Sequence, residues 1–362
     1  MKELYLDSNA HVPMGDRALE TFVNFNKSSA GEGHALSPSK IGQKTSKTIE
    51  DAREKIAKLI GAKNKNQIFF TNGCTQACEW AINILINLDK TEKTAISKME
   101  HPAVSRAVKK YIKNNISNFI VDKDGIINYE LEASKAICIY VQNEIGTIQG
   151  LNKIKAKYLF SDMSQALGKI PINVSDLPVD IAVFGAHKFG GPTNVGFMYL
   201  KNTEHWREFG TGSRYFMDIP GTPDAAGIIS TATALEDAID TMEERTNNMA
   251  EFQSLLEMGL KEMNFEIVGE KAIRVPNTTF VKVPSDKFHA HSGFMLMTEL
   301  SNNNVYVGLG SACGSLYTDG SPLMKSLGRP SNGQDYIRIS QWGNYDIHCA
   351  KELLFTIQRI LK

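Results

Sequence analysis

The chain has 362 residues, 42% of them hydrophobic and 22% charged, enough for one large domain and a smaller one with a sizeable core, and unlike a disordered chain. Lysine plus arginine equal aspartate plus glutamate at 40 each, so no overall field favours nucleic acid or a membrane surface. No apolar run approaches the ~18 residues of a membrane-spanning helix, and the opening "MKELYLDSNA" lacks a basic-then-apolar leader pattern, so a cytoplasmic location is the expectation.

In chain order, short runs rich in β-formers recur: "QIFFT" (67–71), "TAIS" (94–97), "NFIV" (118–121), "AICIYV" (136–141), "KYLFSD" (157–162), "DIAVFGA" (180–186) and "VGFMYL" (195–200). Helical patterns lie between or before several of them, as in "TSKTIEDAREKIAKLIGA", "CEWAINILINL" and "AVSRAVKKYIKN". This alternation predicts an α/β domain with a mostly parallel, seven-stranded sheet flanked by helices. The basic stretch "SRAVKKYIKNN" reads as the solvated face of one helix, with no nucleic-acid partner expected. From about 223 a long helical stretch follows, then "FEIVGE", "NTTFVKV", the helix "HSGFMLMTELSNN", a Gly/Ser-rich loop around Cys313, "YIRIS" and a terminal helix. That block predicts a smaller α+β domain. The expected division is 13–249 for the large domain, with 1–12 and 250–362 forming the small one.

Ligands of such sheets gather at the carboxyl ends of the strands. "FFTNGCTQA" puts Gly73, Cys74 and Thr75 at a strand end that opens a helix, which suits a phosphate and equally suits ordinary capping. His101 follows the next strand and precedes Pro102, where a cap and a ring-binding imidazole are both open readings. Asp162 closes "KYLFSD" with Gln165 three residues on, and a helix cap again competes with a site role. His187 and Lys188 follow the apolar strand "DIAVFGA", where a lysine is either desolvated for Schiff-base chemistry or a turn residue facing solvent. Together, a phosphate cradle, an imidazole, a strand-end carboxylate and a lysine are the parts that hold pyridoxal 5'-phosphate. The five cysteines, Cys74, Cys78, Cys138, Cys313 and Cys349, form no disulfide framework, and "CTQAC" lacks partners for a zinc site, so no metal is expected.

The order and wording of these motifs resemble the cysteine desulfurases (NifS/IscS-like), within the class V aminotransferase group of fold-type I pyridoxal-phosphate enzymes. The resemblance runs through "YLDSNAHVP", "FTNGCTQA", "EHPAV", "QNEIGTIQ", "SDMSQALGKIPI", "HKFGGP", "RVPNTT", "GSACGS" and "YIRIS". It implies that Lys188 holds the cofactor and then moves the substrate Cα proton, and that Asp162 pairs with the pyridine nitrogen. It implies that His101 stacks on the ring, that Gln165 and Asn143 bond near the ring oxygen and substrate, and that Cys74 (through its amide), Thr75 and His187 hold the phosphate. Arg338 would clamp the substrate carboxylate, and Cys313 would attack the sulfur of L-cysteine, keep it as a persulfide and leave L-alanine. Thr222 would reach the phosphate of a partner subunit in a homodimer, and the sulfur would pass to an acceptor such as an iron–sulfur scaffold or a thiolation relay. The pattern departs at Gly185 and Gln76, where the family usually carries serine and glutamate, and in "EGHALSPSKI" and "GTGSRYFMDIPGT", so altered cofactor affinity is expected before lost chemistry. A selenocysteine lyase or other class V enzyme is the nearer alternative. A binding or regulatory subunit that kept only the fold is the more distant one.

Overall fold

A computed structural model describes residues 3–89, 93–205, 222–284, 288, 292–309, 321–329 and 334–362. The chain opens with β1 (Leu4–Leu6), α1 (Asp16–Lys27) and α2 (Lys40–Leu59), followed by β2 (Ile68–Thr71) and α3 (Cys74–Leu88). β3 (Thr94–Ile96), α4 (Pro102–Tyr111), β4 (Ile116–Asn118), β5 (Glu132–Ile137), β6 (Lys155–Asp162), β7 (Ile181–Gly185) and β8 (Gly196–Leu200) come next. Strands β2 to β8 form one seven-stranded sheet in the order β2-β8-β7-β6-β5-β3-β4. Pairing is parallel from β7 through β4, while β8 runs antiparallel to both β7 and β2. The carboxyl ends of β2, β3, β5, β6 and β7 therefore share one edge.

Side-chain alternation explains why these strands read as unbroken apolar runs. Phe69, Val183 and Met198 pack against α3 and α4 on one face of the sheet. Phe70, Ala182, Phe184 and Phe197 face the opposite side, where Ile49 and Ile56 of α2 cover them together with α5 (Ala225–Asp240). A strand buried on both faces has no polar side to show. All seven expected strands are present, two of them displaced. The fourth begins at Glu132 and leaves its pairing with β3 after Ile137, where the buried Glu100 carboxylate takes the Ile139 N–H at 2.7 Å, while its bonds to β6 run on to Tyr140. β4 precedes "NFIV" by two residues, with Phe119 turned into the core and Ile120 exposed.

The long helical stretch is two helices, α5 and α6 (Met242–Glu262), broken at Thr241. Beyond it lie β9 (Glu266–Ile267), β10 (Thr278–Lys282), α7 (Ser292–Asn302), β11 (Val305–Val307), α8 (Pro322–Ser326), β12 (Tyr336–Ser340) and α9 (Ile347–Leu361). β12, β10 and β9 make an antiparallel three-stranded sheet, and β1 pairs in parallel with β11. Leu4 and Leu6 thereby join a separate apolar cluster with Leu256, Val281, Leu296, Ile337 and Leu353. Among the described residues no helix is long and apolar enough to cross a membrane.

Candidate active site

At the shared carboxyl edge of the sheet lies a cavity of about 360 Å³, lined by Cys74, Thr75, His101, Asn143, Asp162, Gln165, His187, Lys188 and Arg338. Nine side chains singled out in the sequence thus meet in one place, drawn from five strand ends and from β12. Thr222 is not among them: it is exposed, and its hydroxyl lies 3.3 Å from His34 Nε2. Cys313 lies outside the described residues.

At one end of the cavity α3 begins with Gly73 at φ +84°, and no side chain caps its first turn. That backbone geometry favours glycine. Opposing it, Gly196 approaches so closely that a Cβ there would sit 2.6 Å from the Gly73 carbonyl carbon. Gln76 reaches back to accept the Asn72 N–H at 2.8 Å, which stabilises the loop before the helix. His187 adds a ring whose buried Nδ1 has no partner among the described residues. Burial, then the Lys188 charge, pulls this imidazole down to about 3, so it is neutral. Uncapped N–H groups, a helix N-terminus and an orphaned ring nitrogen fit a phosphate.

His101 caps a helix, whereas Asp162, expected as a helix cap, precedes a run of turns and no helix; both side chains line the cavity. His101 Nδ1 caps α4 by accepting the Ala103 N–H at 3.1 Å, and the ring still lines the cavity. Burial lowers its pKa, against the opposing pull of Asp162. Asp162 Oδ1 accepts the Ser164 N–H at 2.9 Å while the carboxylate, 5% exposed, faces the same space. A carboxylate held at that depth can pair with a protonated ring nitrogen.

Lys188 is desolvated rather than turned to solvent. Its Nζ donates to the Asn9 and Ala10 carbonyls at 2.7 and 2.8 Å, and burial with the Arg338 charge lowers the amine to about 8. Arg338, 1% exposed on β12, donates Nη1 to the Asn143 carbonyl at 3.0 Å and Nη2 to Asp7 at 2.6 Å. Its strand partner is Gly308, bonded to it in both directions, and a Cβ at Gly308 would lie 2.7 Å from Asp7 Oδ1. Ser321, at the other end of the segment 310–320, donates to the buried Glu144 carboxylate at 3.2 Å, beside Asn143. Both anchors of the segment that contains Cys313 therefore stand beside residues of the site.

Gly185 has a packing reason that the sequence did not show. At φ −112° its backbone suits any residue, but a Cβ would meet Cys74 Cβ and His187 Cε1 at 3.2 Å each. The Cys74 side chain fills that corner, with Sγ 3.1 Å from Ser164 Oγ and 3.9 Å from Cys78 Sγ. Gly185→Ser is expected to cost about 1–3 kcal/mol in urea unfolding.

Asn9 was not singled out. It follows β1, and every polar atom it has is engaged: N to Ser340, Nδ2 to Asn143 and Thr278, O from Gln165 and Lys188, Oδ1 from Lys169 and Asn277. Its partners lie 134 to 331 residues away, so no local pattern marks it.

The aminotransferase class-V family matches residues 4–346 of this chain. A cysteine desulfurase IscS of Dictyoglomus turgidum is 32% identical over 350 residues, covering 91% of this chain and 86% of that protein. One from Clostridium botulinum (strain Kyoto) is 28% identical with the same coverage of each. This chain belongs to the class-V aminotransferase family, on its cysteine desulfurase branch. Among solved structures a NifS-like protein superposes with a TM-score of 0.85 at 27% identity, covering 99% of both chains. The large mixed sheet with a smaller sheet beside it is thus the fold-type I architecture of pyridoxal-phosphate enzymes. The uncapped α3 terminus, Asp162 and Lys188 line one cavity, and such a cofactor fits it by chemistry: phosphate donors at one end, a carboxylate in the wall, an amine within.

Proposed function

We propose that the chain is a pyridoxal-phosphate-dependent cysteine desulfurase, converting L-cysteine to L-alanine with the sulfur held as a persulfide on Cys313. The observation that carries this reading is the desolvated Lys188 amine sharing a cavity with Arg338, whose strand partner Gly308 leads into the Cys313 segment. The α3 terminus, Thr75 and His187 would hold the phosphate, Asp162 would pair with the ring nitrogen, and His101 and Gln165 would hold the ring. When bound, the cofactor supplies an electron sink that makes the substrate Cα–H bond acidic. Lys188, free as an amine in a fraction of molecules at neutral pH, takes that proton. Arg338 and Asn143 orient the substrate, the former through the second N–H that each terminal guanidinium nitrogen retains. The Cys313 thiolate attacks the substrate sulfur: the new S–S bond forms as the Cβ–S bond breaks with its electron pair left on Cβ, which takes up the equivalent of the proton the thiol gave up, and Lys188 returns the Cα proton as alanine leaves.

Thr222, exposed and absent from its own chain's cavity, supports a homodimer in which it completes the partner's phosphate site. The third apolar cluster supports the division into residues 13–249 and a small unit of 1–12 with 250–362. A cytoplasmic location and a sulfur-acceptor protein complete the reading. Arg338→Lys replaces a planar fork with a point charge and is expected to raise KM for cysteine by about 10²-fold with a smaller change in kcat, checked by steady-state kinetics. The reading itself is tested by supplying cofactor and L-cysteine: alanine should form in step with reducible sulfur. A protein that takes up no cofactor contradicts it, and turnover of selenocysteine alone moves it to the lyase.

A further inference from the structure

Lys169, one turn of chain beyond Gln165, is 1% exposed and makes no ion pair among the described residues. Its Nζ has two partners, Asn9 Oδ1 at 2.8 Å and Gln165 Oε1. Burial, with the Lys188, Arg338 and Arg245 charges, lowers its amine well below the usual lysine range. A buried lysine with only neutral acceptors is a costly group to keep, and its two contacts show what it does. An amide side chain takes either of two orientations, and its partners choose between them. Lys169 offers donors, so Gln165 must turn its oxygen toward it. The amide nitrogen is then at the other end, one N–H on the Asn9 carbonyl at 2.9 Å and the second free for a ligand of the cavity that Gln165 lines. Asn9, held by the same amine, presents the carbonyl on which Lys188 rests.

We propose that Lys169 is a positioning residue that locks the Gln165 amide with its nitrogen toward the cofactor's ring oxygen and steadies the Asn9 carbonyl under Lys188. This rests on the cofactor reading above. Without Lys169, the Asn9 carbonyl alone holds the Gln165 nitrogen, and the amide loses the second contact that fixes its donor toward the ring oxygen.

The test titrates apo-protein with pyridoxal phosphate and records the visible band of the loaded form in wild type, Lys169→Met, Gln165→Leu, their double variant and Gln165→Glu. Lys169→Met should weaken cofactor binding about tenfold, the worth of one such hydrogen bond, and shift the band in the same direction as Gln165→Leu. The double variant should lose no more than the stronger single one, because both remove the same donor. Gln165→Glu keeps its contact with Lys169 but has no donor for the cavity, so it should also bind weakly; it decides the matter if Lys169→Met does not fold. Additive losses, an unshifted band in Lys169→Met, or wild-type affinity in Gln165→Glu would overturn the inference. Wild-type protein that takes up no cofactor would overturn the functional reading and this inference with it, whereas wild-type uptake with Lys169→Met unchanged overturns the inference alone.

Discussion

Lys188→Met is expected to remove cysteine turnover, by at least roughly 10³-fold, together with the visible absorbance of the cofactor-loaded protein. Both losses follow from one amine, to which the proposed function gives the covalent attachment and the proton transfer. The fold should survive. A lysine whose folded pKa is lowered binds fewer protons in the native state than in the unfolded chain. Its cost to stability is therefore fully present below pH 8 and fades as pH rises from about 8 toward the ordinary lysine value of 10.5. Methionine removes that cost at neutral pH while filling similar volume. Lost activity with an unfolding midpoint equal to or above wild type at pH 7 is the expected pair of results. In wild type, cofactor uptake should speed up as pH rises through about 8, because only the free amine reacts. A flat rate between pH 6 and pH 9 would show that the amine is not the titrating group.

Cys313→Ala separates the other half of the chemistry. It should load cofactor as wild type does and show the same visible band, yet transfer no sulfur and release alanine at less than about a hundredth of the wild-type rate. Gly308 is fixed on Arg338 and Ser321 on Glu144, so the segment between them begins and ends at the site. Five residues from Gly308, Cys313 has a reach of at most roughly 17 Å, enough to cover the cavity and its rim. Alanine production undiminished in Cys313→Ala would remove this residue from the mechanism.

The sequence made most of the fold legible because β2, β7, β8 and the second half of β6 are buried on both faces, and such strands leave unbroken apolar runs between amphipathic helices. Where a strand's limits depended on a distant group, as Glu100 does for β5, the pattern misplaced them. His101, Asp162, His187 and Lys188 were legible for a related reason: parallel strands bring their carboxyl ends to one edge, so strand-end residues become neighbours whatever lies between them. Asn9 was not, since its contacts span 134 to 331 residues with no periodicity to betray them, and neither was Lys169, whose burial and contact with Asn9, 160 residues away, leave no local pattern. Gly185 was visible only as a departure. Its reason, the space claimed by Cys74 and His187, needed three dimensions. Thr222 lies away from its own chain's cavity, and only the family resemblance, which assigned it to a partner subunit's phosphate, pointed that way.

The central claim is that sulfur leaves cysteine for Cys313 through chemistry that depends on Lys188. It is tested most directly by treating cofactor-loaded protein with one equivalent of L-cysteine, without reductant, and weighing the peptide that contains Cys313. The account predicts a peptide heavier by one sulfur atom in wild type and unchanged in Lys188→Met. Alanine formed while that peptide keeps its mass, or the extra sulfur found on Cys74 or another cysteine instead, would contradict it.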